Sequence, residues 1–168
     1  MVEFRSAVFA KLSMKVERAD GELRNLTKHA FDRRLAIMSD DWEATTAASL
    51  GVHNIYNGIE DILKAVAKDV DGSVPTGGSE HQDILDQMAA PIPGLRPALL
   101  SADLYRNLTE LKGFRHLVRH RYGIEMSGAK VLENVERMQR AFPSFVEALV
   151  DLERELTSDI GDADDLAN

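Results

Sequence analysis

Apolar residues recur along this chain in alternating steps of three and four, the spacing that gathers side chains on one face of an α-helix. No run alternates as a half-buried strand would. From Phe9 the series continues through Leu12, Val16, Ala19, Leu23, Leu26 and Ala30. It predicts one long first helix to about Met38, strained where Asp20 meets Gly21. Asp40 and Glu43 read as a capping box that opens a second helix. Its buried face is Val52, Ile55, Tyr56, Ile59, Ile62, Leu63 and Val66, and Asp71-Gly72 should end it. A loop through Pro75, Gly77 and Gly78 leads to a short helix around His81 to Ala89. Pro91, Pro93 and Pro97 then exclude regular structure, because proline removes a backbone donor. Ser101 is the expected N-cap of the next helix, which runs to about Tyr122, just before Gly123. A last long helix starts near Ser127 and buries Val131, Val135, Met138, Phe142, Phe145, Leu149, Leu152 and Leu156, with a kink expected at Pro143.

These elements predict an all-α fold, an up-down bundle of four to five helices. Residues 1–158 form one domain, and 159–168 form a flexible acidic tail carrying Asp159, Asp162, Asp164 and Asp165. The first, second and last helices are long enough for two apolar faces, so a helix-mediated homodimer is expected. A chain of 168 residues suits a single core. With no cysteine, a disulfide framework and Cys-ligated metal are excluded, which suits a cytoplasmic protein. No segment approaches the roughly 20 apolar residues of a membrane span. The first 20 positions carry charges throughout, unlike a secretory leader.

The net charge of −8 argues against a dedicated nucleic-acid coat protein, since phosphate backbones draw on Lys and Arg. Locally the balance reverses. From Arg106 to Tyr122 the chain carries Arg106, Lys112, Arg115, Arg119 and Arg121 with His116 and His120, against the single acid Glu110. The apolar stripe of this segment is Leu104, Leu108, Leu111, Arg115, Val118 and Tyr122, so Arg115 takes a core-facing position. A guanidinium there needs an acid, a carbonyl or a ligand phosphate. If its role is structural, Glu60 or Asp61 is the expected partner. His120 lies about 140° further round an ideal helix and does not share a face with Arg115. Either the helix loses regularity before Gly123, or the same helix of a second chain completes the site. His116 and His120 have a metal-ligand spacing, but no acid or third ligand accompanies them and no metal is expected. Trp42 and His53 read as packing residues.

The stretch Phe114-Arg115-His116-Leu117-Val118-Arg119-His120-Arg121-Tyr122 resembles the Arg-x4-His-x-Tyr motif of the HEPN superfamily, in its HepT branch. Ile55-Tyr56-Asn57-Gly58-Ile59-Glu60-Asp61-Ile62-Leu63 is similar to the second helix of those proteins, and the likeness covers residues 40 to 150. His116 departs from the pattern, because many relatives carry Asn after the Arg. The resemblance implies a metal-independent endoribonuclease without a cofactor, the toxin of a toxin–antitoxin module, acting on RNA as a homodimer. Arg115 would clamp the scissile phosphate and His120 would transfer a proton while the substrate's own 2′-OH attacks. Tyr122 is the position that a partner nucleotidyltransferase of the MNT type modifies with AMP in relatives; a core aromatic is the alternative. Arg96, Arg106, His116, Arg119 and Arg121 are further candidates for guiding RNA, or simply a solvated basic surface. The alternative function is a non-catalytic helical module that binds a nucleotide or a nucleotidyltransferase, and a purely structural bundle remains a third reading.

Overall fold

The computed structural model describes residues 4–120 and 126–165, with side chains as far as Ser158. Its elements are α1 (Ala7–Ala10), α2 (Ser13–Lys28), α3 (Phe31–Ile37), α4 (Trp42–Val66), α5 (Glu80–Ala89), α6 (Ala102–His120) and α7 (Gly128–Asp165). A π-helical turn, Ala67–Asp71, prolongs α4 and stops at Gly72, whose φ of 71° is easily adopted without a Cβ. The only bridge among the described residues joins Ile92 to Arg96. The fold is an all-α bundle, as the apolar spacing predicts.

Helix α4 is the centre. Ala48, Val52, Ile55, Tyr56, Ile59, Ile62 and Leu63 are at most 1% exposed and merge with the buried sides of α2, α6 and α7 in one core. The approach of α2 is closest. A Cβ on Gly51 would stand 2.7 Å from Leu26, and one on Gly58 would stand 3.2 Å from Ala19. The contacts run in opposite order along the two helices, so α2 and α4 are antiparallel. Two glycines seven positions apart thus provide the groove into which α2 fits.

The expected first helix is in three pieces, and its break is not at Gly21. Helix α2 runs through Gly21, where glycine costs about 1 kcal/mol, an amount a well-packed helix tolerates. The chain turns instead at Ala30, which has left-handed φ and ψ of 50° and 40°. That conformation is unfavourable for a residue with a Cβ. It is held from both sides. Arg34 binds Asp41 at 2.9 and 3.1 Å and Glu43 at 2.9 Å, tying α3 to the start of α4, while Leu35 is 1% exposed in the core. The cap of α4 is Asp41, which accepts from Ala44 N at 2.9 Å, rather than the expected Asp40. Trp42 is 73% exposed and therefore not the packing residue expected.

The later expectations hold more closely. Ser101 accepts from Leu104 N at 3.2 Å and opens α6. Helix α7 starts after Ser127 and passes through Pro143 without interruption. It also continues to Asp165, into the segment expected as a tail. Its Glu153, 6% exposed, accepts from the backbone N–H groups of Arg5 and Ser6 at 2.7 Å each. A buried carboxylate thereby secures the N-terminal segment.

Arg96 departs most from its expected place on a basic surface. Its side chain is 0% exposed. Nε and Nη2 donate to Asp71 at 2.6 and 2.8 Å, Nη1 to the carbonyls of Ala90 and Pro97, and Nη2 also to that of Gln87. All five N–H donors are used, so none is left for RNA. The proline-rich connection is held in place by this one side chain. Burial pushes the Asp71 carboxyl upward, but the bonds from Arg96 and Gln87 outweigh it and hold the group below the usual carboxylate range. Arg96→Ala should cost about 3–5 kcal/mol, because it strands a buried carboxylate, and urea denaturation would measure it. A lowered folded pKa stabilises fully above the unfolded value and is lost as pH falls. The gap between wild type and Arg96→Ala should therefore narrow as pH drops through the lowered Asp71 pKa.

Candidate functional site

Helix α6 lies beside α4, and the two run antiparallel, with the C-terminal part of α6 beside His53 and Asn57 of α4. Arg115 is half-buried in this seam, and its Nε donates to Asn57 Oδ1 at 2.5 Å. Neither expected acid pairs with it. Glu60 is engaged by His81 at 2.7 Å and Lys64 at 3.2 Å, and Asp61 is exposed. Among the described residues Arg115 has no carboxylate partner, and its Nη groups make no hydrogen bond. Its charge is oriented but not neutralised.

On α4, the polar side chains of His53 and Tyr56 accompany Asn57. His53, one turn before Asn57, has a buried Nδ1 with no hydrogen-bond partner. Burial first, then the neighbouring Arg115 and Arg119 guanidinium groups, push its pKa below the ordinary histidine value, against a smaller upward pull from the Arg115 backbone. The Tyr56 hydroxyl is likewise buried without a partner. Burial and then Glu60 raise its pKa well above a normal phenol, with Arg115 opposing. Both groups stay neutral at pH 7. His53 was expected only to pack. Its position four residues from Asn57, on the same face of α4, is the signal that could have marked both.

Helix α6 remains regular to His120, so loss of regularity does not bring His120 round to Arg115 within the described residues. His120 is exposed, its Nδ1 lies 3.0 Å from the His116 carbonyl, and the two imidazole rings are 4.1 Å apart. Arg115 faces α4 while the histidine pair lies on another side of the same helix. Arg119 is exposed, and Arg106 pairs with Asp103 at the surface. Arg121 and Tyr122 lie outside the described residues.

One arrangement had no counterpart in the sequence pattern. Docking of α5 on α4 brings Glu60, Glu80 and His81 together, with potential ligand atoms within 4.8 Å of one another. These residue types suit a divalent cation. Lys64 already places its ammonium 3.2 Å from both carboxylates, so a metal would have to displace it. As it stands, the cluster is a balanced ion network that fastens α5 to α4.

A family model described as HepT-like protein matches residues 47–156, well over half of the chain. The chain belongs to the HepT-like family. The match begins within α4 and ends within α7, so it contains His53, Asn57, Arg115 and His120, and it bears out the resemblance to HEPN-type proteins in their HepT branch. No curated protein and no solved structure gives a match. Among the described residues, no helix of this HepT-like protein is long and apolar enough to cross a membrane.

The seam makes its own electrostatic prediction. In an NMR titration His53 should protonate below an ordinary histidine. Arg115→Ala should raise its pKa while burial keeps it partly lowered. An unchanged His53 pKa in that variant would mean that the two side chains are not coupled.

Proposed function

We propose that this HepT-like chain is a metal-independent endoribonuclease, the toxin of a two-gene toxin–antitoxin module, acting on RNA as a homodimer. The observation that carries this reading is the state of Arg115. A partly desolvated guanidinium with a neutral partner is a poor choice for stability but a good one for gripping a phosphate. In cleavage by the substrate's 2′-OH, Arg115 binds a non-bridging phosphate oxygen and stabilises the charge that grows on the phosphorane. His120, exposed at the end of α6, transfers a proton.

The divergence of Arg115 and His120 around α6 favours a site shared between two chains, with Arg115 of one protomer acting beside the same helix of its partner. Exposed apolar side chains support contact at this end of the bundle. Because α4 and α6 are antiparallel, Leu50 (56% exposed) and Trp42 (73%) lie toward the C-terminal end of α6. Such side chains are covered when a second surface meets them. Tyr122, two positions beyond His120, is the proposed acceptor of AMP from an MNT-type nucleotidyltransferase antitoxin. Each AMP would add an anionic phosphate that competes with RNA for Arg115. Arg119 and His116 are the remaining candidates for contacting RNA along α6, with Arg121 and Arg106 as further cationic positions.

Arg115→Ala and His120→Ala should each abolish RNA cleavage and leave the helical circular dichroism unchanged, while EDTA should leave the wild-type rate unaltered. The shared site has a sharper consequence. Mixing the two inactive variants under conditions of subunit exchange should restore about a quarter of wild-type activity, since half the dimers are mixed and each holds one intact site. No restoration despite confirmed exchange would place the whole site in one chain. Tyr122→Phe should keep nuclease activity yet gain no AMP mass when incubated with the nucleotidyltransferase and ATP.

A further inference from the structure

Two arginines that join separate elements of this protein, Arg96 and Arg34, are each gripped by an aspartate. Asp71 takes Nε and Nη2 of Arg96. Asp41 takes Nε and Nη2 of Arg34 at 2.9 and 3.1 Å. Each is a two-pronged grip that both orients the guanidinium and cancels its charge. Arg115 is held differently. One amide oxygen, Asn57 Oδ1, accepts its Nε–H and takes neither Nη group.

We propose that Asn57 is a positioning residue that aims Arg115 at a substrate phosphate while leaving its charge and both Nη groups free. The proposal rests on the reading of Arg115 as a phosphate clamp. An amide suits this task because it accepts a hydrogen bond without a formal charge, whereas the carboxylate of nearly the same shape would compete with phosphate. The site of the amide is rigid. Asn57 sits in the middle of α4, and its neighbour Gly58 is in close contact with Ala19 of α2. The rest of the α4 wall follows the same rule, since His53 and Tyr56 are uncharged hydrogen-bonding groups with buried, unpartnered atoms. Glu60, one turn beyond Asn57, is engaged by His81 and Lys64 rather than by Arg115. A pre-aimed guanidinium also loses less side-chain freedom on binding than a mobile one.

The test uses a fluorescent 2′-O-methyl RNA oligonucleotide, which can bind but lacks the attacking hydroxyl, and the full-length protein. Asn57→Asp should fold with an unchanged or higher melting temperature, because it creates a third Asp–Arg grip. It should bind the oligonucleotide at least about tenfold more weakly, with a salt slope reduced by about one. Asn57→Ser, which keeps a neutral acceptor, should bind within a fewfold of wild type. On unmodified RNA, Asn57→Ala should lower kcat more than it raises KM, since the charge remains but its aim is lost. A merely structural Asn57 would show the reverse pattern, with lower melting temperatures and unchanged binding. A folded Asn57→Asp protein that binds as tightly as wild type overturns the proposal and leaves the nuclease reading intact. Wild-type protein that binds the oligonucleotide through Asn57 and Arg115, yet cleaves no RNA, overturns the nuclease reading and leaves the positioning role standing. Wild-type protein that does not bind the oligonucleotide overturns both.

Discussion

Helix α4 touches α2, α3, α5, α6 and α7, and the bundle is organised by how little room that leaves. Its glycines at 51 and 58 let α2 approach until Leu26 and Ala19 meet its backbone. Its aliphatic side chains meet Leu108, Leu111 and Phe114 of α6 on another side. Each fully buried aliphatic or aromatic side chain contributes on the order of 1.5–3 kcal/mol, so the register of the helices around α4 is strongly determined. Arg115 enters the seam because it lies on the apolar stripe of α6, and the register of α6 on α4 brings it to Asn57. The site follows from packing before any chemistry is considered.

Charge is handled in two ways in this molecule. Most ionic groups in or near the interior are balanced: Arg96 by Asp71, Arg34 by Asp41 and Glu43, and Glu60 by Lys64 and His81. These pairs anchor connections and helix ends, where desolvation of one ion must be offset by the other. The seam between α4 and α6 is the exception. Arg115 and Arg119 face neutral side chains, and their field adds to burial in keeping His53 unprotonated. A chain of net charge −8 thus keeps a local positive site, which suits capture of a single phosphate better than tracking of a long backbone.

Helices α4 to α7 were legible in the sequence because their apolar spacing is long and regular and because Ser101 and Gly72 punctuate it. The break at Ala30 was not. Alanine carries no turn signal, and what stabilises its left-handed conformation is the clamp from Arg34 to Asp41 and Glu43, which forms only on folding. Asp40 and Asp41 are adjacent and chemically identical, so the cap of α4 was misplaced by one residue. Arg96 looked like a surface cation because its acid is 25 positions away in sequence and meets it only when the π-helical turn closes. The unusual register of Arg115 was visible at once, whereas Asn57 and His53 were passed over because a neutral residue on a helix face gives no motif. Glu60, Glu80 and His81 likewise converge only through the docking of α5.

Under the proposed function, the charge left unneutralised in this seam serves RNA cleavage by the substrate's own 2′-OH. Analysis of the ends produced by the purified protein in the presence of EDTA tests it most directly. The account predicts fragments ending in 2′,3′-cyclic phosphate and 5′-hydroxyl, and no cut where the ribose carries 2′-deoxy or 2′-O-methyl substitution. Fragments ending in 3′-hydroxyl and 5′-phosphate, or cleavage that persists at a 2′-deoxy position, would contradict it.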